Sequence, residues 1–290
     1  MPYNILSHVR SLEELNRLID KDPISGVLEA EELIVEEVQA VADKISQDAE
    51  KIMAQVRGDA QSAAIKLSGE AERTVNEINK NTAKVAAKLL HDAEVAGGGS
   101  TKGNARAAEK LLLEAEKTTD RLTQKAEKSI TKATEKGEEA ALSVKKAADS
   151  ATQGLESAEK VAVERISEAG KEAASKLSAI AKEKGKDAAM VKGTQLAAAK
   201  IIKELALAAE HVNEEAKKAS AKIEQAAIEA IDTVKKATAQ AAERVHQSID
   251  DANAEILKVT GAAIQTAVGK EDAAFFDLET VKKKREMRKR

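Results

Sequence analysis

Residues 201–263 read IIKELALAAEHVNEEAKKASAKIEQAAIEAIDTVKKATAQAAERVHQSIDDANAEILKVTGAA, and a large branched aliphatic recurs there every eleven residues: Ile201, Val212, Ile223, Val234, Val245 and Ile256. Four residues after the leads come Leu205, Ala216, Ala227 and Ile249; seven after come Ala208, Ala219, Ala230, Ala241, Ala252 and Ala263. Steps of four, three and four close on eleven residues, which is three helical turns of about 3.67 residues each. A strand would alternate with period two, so this stretch predicts a long amphipathic α-helix. Eleven over three turns overshoots the ideal 3.6 slightly, giving straight or weakly right-handed packing instead of the left-handed supercoil of a heptad. Alanine beside each large lead lets helix axes approach toward the short end of the ~8–10 Å range. Each turn buries little, and stability accumulates over length.

The same spacing runs outward to both sides. Toward the N-terminus it gives Ile34, Ile45, Val56, Leu67, Ile78 and Leu89, and between them and the last block it gives Leu111, Leu122, Ala133, Val144, Leu155, Ile166 and Leu177. The composition agrees: the 290 residues are 33% charged and hold no Cys or Trp, one Tyr and two Phe. A globular core of this length normally draws on aromatic rings, so a ball-like core is excluded and long helices are favoured. Both prolines, Pro2 and Pro23, precede the repeat, leaving it free of the strongest helix breaker. The expected fold class is all-α: long helices with an eleven-residue (hendecad) repeat, forming either an extended coiled coil or an elongated three-helix bundle.

Breaks in the stripe set the expected organisation. Residues 1–23 form a preface, with a capping box at Ser11-Leu-Glu-Glu14 and a short amphipathic helix through Leu12, Leu15, Leu18 and Ile19. Asp22-Pro23 reads as a helix start, and helix one follows over 24–96. Gly97, Gly98, Gly99 and Gly103 mark a hinge at 97–103, since consecutive glycines cost a helix ~1 kcal/mol each. Helix two is expected over 104–182, with Asn104 as its cap. Leu89 and Leu111 keep the repeat register across the glycines, so the hinge reads either as a turn or as a joint in a continuous rod. From Leu177 to Ile201 the step is 24 rather than 22, which places a break or turn at 183–194 before helix three at 195–268. Residues 269–290 hold Phe275 and Phe276 and the cationic run Lys282, Lys283, Lys284, Arg285, Arg288, Lys289 and Arg290.

Chemistry is sparse. The four histidines, His8, His91, His211 and His246, form no i, i+4 pair, and a metal site would have to gather them from separate helices. The carboxylates lie on evenly charged faces without an acid/base constellation. Gly97-Gly98-Gly99-Ser100-Thr101-Lys102 lacks the residue order and the preceding strand of a phosphate loop. No catalytic, cofactor or metal residue is therefore expected. The basic tail suits an anionic lipid, a nucleic acid or an acidic partner, or is simply a solvated terminus. With no aromatics interleaved and a formal net charge of −3, nothing calls for nucleic acid. Without an apolar run of about 18 residues or a secretory leader, a cytoplasmic protein is the expectation.

Thr131-Lys-Ala-Thr-Glu-Lys-Gly-Glu-Glu-Ala-Ala141 and Ala237-Thr-Ala-Gln-Ala-Ala-Glu-Arg244 resemble the eleven-residue motif of group 3 late embryogenesis abundant proteins, a resemblance spanning residues 105–260. It implies a desiccation protectant, disordered in water and helical when dried or bound to membrane. This chain departs from the motif in carrying Ile, Leu or Val at most lead positions, which a chain that stays disordered does not need. The expected function is that of a non-enzymatic scaffold, a self-associating helical rod or bundle that docks partners at its ends. A stress protectant, and an amphipathic coat on a lipid or polymer surface anchored by the basic tail, are the alternatives. Expected partners are a second copy or another helical protein, with no small-molecule substrate.

Overall fold

The computed structural model describes residue 17, residue 19 and residues 25–97, 101–183 and 188–269. Three helices account for nearly all of them: α1 (Ser25–Ala96), α2 (Thr101–Glu183) and α3 (Ala188–Val268). They pack as a helical bundle, so of the two forms expected from sequence the chain takes the three-helix bundle. The described helices contain no strand. None of them is long and apolar enough to cross a membrane.

The chain divides into two compact units, each taking one part of every helix. In the unit formed by residues 61–141 and 233–290, cross-helix contacts fix the directions. Along α1 and α2, Lys88 meets Glu114, Glu77 meets Lys125 and Glu70 meets Lys136, so residue numbers fall on one helix as they rise on the other. These two helices are antiparallel, and Gly97 lies in the turn between them. The chain thus reverses between α1 and α2 and does not continue as one rod. Arg244 donates to Ser68 (3.3 Å), and Gly97 lies against the Thr266 carbonyl, so α3 runs parallel to α1. The core here joins Ile78, Leu89, Leu111, Leu122, Val245 and Ile256 with Ala71, Ala93, Ala115, Ala126, Ala241, Ala252 and Ala263. A smaller cluster of Ala108, Leu112 and Ile264 lies beside it.

The other unit takes residues 1–60 and 142–232. Ile45, Val56, Val144, Leu155, Ile166, Leu177, Ile201, Val212 and Ile223 are all buried in it, with Ala49, Ala148, Ala173, Ala216 and Ala227 between them. Arg57 Nη2 reaches Glu229 Oε2 at 3.1 Å across α1 and α3. Gly170 lies against Leu205 across α2 and α3.

Helix ends differ from the sequence reading at two points, the starts of α2 and α3. Gly103, expected in the hinge, lies inside the first turns of α2, which begins at Thr101. The first four N–H groups of a helix have no partner within it, so a glycine there sacrifices little. The break expected at 183–194 is narrower, because α3 is already helical from Ala188. Thr194 is fully buried and donates its hydroxyl to the Met190 and Val191 carbonyls. Burial of that turn outweighs the ~1 kcal/mol that Gly193 costs. Met190 stands eleven residues before Ile201, so the repeat itself carried this signal. At its far end α3 closes on Gly269, whose φ of +87° and N–H to Gln265 carbonyl bond (3.0 Å) make a left-handed cap.

Candidate interaction surface

Every described side chain of the packing stripe is buried. Ile45, Val56, Leu67, Ile78, Leu89, Leu111, Leu122, Val144, Leu155, Ile166, Leu177, Ile201, Val212, Ile223, Val234, Val245 and Ile256 all belong to the core, none more than 8% exposed. Ile34 lies in α1, and its side chain falls outside the described residues, as do Gly98, Gly99, Phe275, Phe276 and the tail from Lys282 to Arg290. Because the stripe is covered by helices of the same chain, what faces solvent is the charged side of each helix.

Most polar groups that enter the core are satisfied by the backbone. Thr82 and Thr260 are buried and donate to the Ile78 and Ile256 carbonyls one turn back (2.9 and 2.6 Å). This back-bonding is the usual way for a helix to bury a hydroxyl. Thr74 donates to the Glu70 carbonyl and meets Ser129 Oγ at 2.8 Å, a hydroxyl contact between α1 and α2. Ser248 is buried with its hydroxyl unpartnered.

Ion pairs line the outer edges of the bundle. Lys88 Nζ lies 2.7 Å from Glu114 Oε1 and donates to it. That hydrogen bond, with the attraction between the charges, holds the Glu114 carboxyl below the ordinary carboxylate range and raises Lys88. Glu229 is lowered first by the Gln225 amide and then by Arg57, and Glu215 by Lys218. For Glu114 the folded pKa is the depressed one, so its contribution is present above the ordinary glutamate value of ~4.3 and is lost as pH falls through the folded value. Lys88 is raised, so its contribution is present below the ordinary lysine value of ~10.4 and is lost as pH rises through the folded one. Glu114→Gln is therefore expected to lower Tm slightly at pH 7 and not at pH 3. An equal loss at both pH values would mean that packing, not charge, is what the substitution removes. The effect is small because both groups are solvated.

Large apolar residues on the surface include Ile65, Val95, Leu142, Leu196 and Ile228. Ile65 and Leu142 share one position of the eleven-residue repeat and Val95 and Leu196 another, but the members of each pair stand on different helices, so they are single exposed side chains of the kind common on protein surfaces. His91, His211 and His246 stand on three separate stretches of helix, and no group of three or more His, Asp or Glu able to hold a metal occurs among the described residues.

Comparison with solved structures gives a fold. The chain is similar to a computationally designed three-helix bundle, with a TM-score of 0.61 and 18% sequence identity over 82% of this chain and 97% of that one. No protein-family model matches the chain. No curated protein is similar to it.

Proposed function

We propose that this chain is a non-enzymatic structural protein, a helical bundle that serves as a scaffold between partners. The observation that carries the reading is how the lead residues are buried. Ile, Leu and Val at nearly every repeat are covered by helices of the same chain, which supports a folded element with a charged exterior. The stripe that would otherwise coat lipid is already occupied, and this favours a scaffold over an amphipathic coat. The same stripe favours it over a desiccation protectant, which has no need of a packed core in water.

Far-UV circular dichroism of dilute protein in buffer, followed through a melt, tests this. Strong helicity lost in one cooperative transition is the expected result. A coil spectrum that turns helical only in trifluoroethanol or on drying would overturn the scaffold in favour of the protectant. Helicity that appears only with anionic vesicles would point to the coat.

A further inference from the structure

In α2 an acid is followed directly by a base at Glu109-Lys110, Glu116-Lys117, Asp120-Arg121 and Glu127-Lys128. One residue turns an α-helix by about 100°, so acids and bases separate onto different edges. The bases Arg106, Lys117 and Lys128 form one row with eleven-residue steps, and Lys110, Arg121 and Lys132 form a second. Lys110, Arg121 and Lys132 stand four residues before Glu114, Lys125 and Lys136, the groups that pair with α1. Residues four apart share a helix face, so the basic rows flank the seam with α1.

Across that seam α1 repeats the arrangement. Lys66, Arg73 and Lys84 each stand four residues before a seam residue: Glu70, Glu77 and Lys88. All of these bases are exposed, and among the described residues no ion pair engages Lys66, Arg73, Lys84, Lys110, Arg121 or Lys132. The acids of α2 turn to its other flank, the side of α3. They too step by eleven, as Glu116, Glu127 and Glu138 and as Glu109 and Asp120. The exposed Glu243 and Asp250 of α3 add to the acidic side.

We propose that this unit binds a second copy of the chain side by side, the basic α1–α2 face of one molecule against the acidic α2–α3 edge of the next. The complementarity lies in pitch as well as sign. Both faces derive from one repeat, so their charges recur at the same interval of about 16 Å. A lipid surface or a nucleic-acid backbone would satisfy the positive charge, but neither accounts for acidic rows of matching spacing. A formal net charge of −3 leaves little overall repulsion between copies. The two faces differ, so the contact is head-to-tail and either closes into a ring or continues. The inference rests on the scaffold reading and deepens it, making the scaffold self-associating.

Sedimentation equilibrium at about 20 mM and about 500 mM salt tests it, since screening shortens the Debye length to a few ångströms at high salt. Wild type is expected to exceed the monomer mass at low salt and to return to it at high salt. Arg106→Glu, Lys117→Glu and Lys128→Glu together give a molecule without its basic row. Asp120→Lys, Glu127→Lys and Glu138→Lys give one with its acidic edge reversed at three positions. Each variant alone is expected to associate at least tenfold more weakly than wild type. An equimolar mixture of the two regains association, because the acidic edge of the first variant still meets the basic face of the second and the reversed rows are complementary to each other.

A monomeric wild type at low salt, association indifferent to salt, or a silent mixture would each overturn the proposal. Flotation of a monomeric wild type with phosphatidylserine vesicles would overturn it too and assign the basic face to lipid. In any of these cases full helicity leaves the scaffold reading standing, whereas a coil spectrum strikes both.

Discussion

Truncating Ile223 to alanine is expected to cost the fold about 2–5 kcal/mol, read as a lowered midpoint in urea or heat. Ile223 is fully buried on α3, and its companions four and seven residues on are Ala227 and Ala230. Alanines have no side-chain torsion with which to move into a vacated space, so the cavity left behind stays largely open. Cavity cost adds to lost transfer energy and places this substitution toward the upper part of the range. Ile228, five positions along and 57% exposed, is the control: Ile228→Ala should stay within about 0.5 kcal/mol. If the two substitutions cost the same, the eleven-residue stripe is not what holds the helices together.

That stripe is also the measure of how far the sequence could be read. The lead positions from Ile45 to Ile256 are buried because an eleven-residue period fixes one edge of a helix, and burial needs no knowledge of what covers that edge. For the same reason the period could not say whether the cover comes from within the chain or from another molecule. Leu89 and Leu111 keep register across Gly97–Gly99, which invited a continuous rod. The chain reverses there, as Lys88 and Glu114 show by meeting, so the shared register has no structural meaning. The helix ends differ from the sequence reading at Gly103, where glycine is weighed by intrinsic cost alone, and near Gly193, where the two-residue slip in the repeat reads as a longer break. Gly103 and Gly193 both lie inside helices, one where few internal bonds are at stake and the other where Thr194 and Ala197 are buried beside it. The charged edges escape the sequence reading, which takes the carboxylates as evenly spread. Which edge faced α1 required the pairing of the helices, and this is why the surface was harder to read than the core.

Gly137→Ala gives the sharpest test of how closely α2 and α3 approach. A Cβ built on Gly137 would stand 2.1 Å from Thr238 Oγ1 and 3.1 Å from Thr238 Cβ. Rotating Thr238 relieves the first contact but not the second, because Cβ does not move with χ1. The backbones must separate, and overpacking of this kind costs about 1–3 kcal/mol. Elsewhere in a helix interior the same exchange gains about 0.5–1 kcal/mol through helix propensity. Gly69, in the same unit, has nothing within 4 Å of its added Cβ, so Gly69→Ala is expected to raise Tm while Gly137→Ala lowers it. Opposite signs from one chemical change would locate the close approach at Gly137 and rule out a general tolerance of loosely packed helices. A Gly137→Ala protein as stable as the Gly69→Ala one would mean that α2 and α3 lie further apart than the Thr238 contact requires.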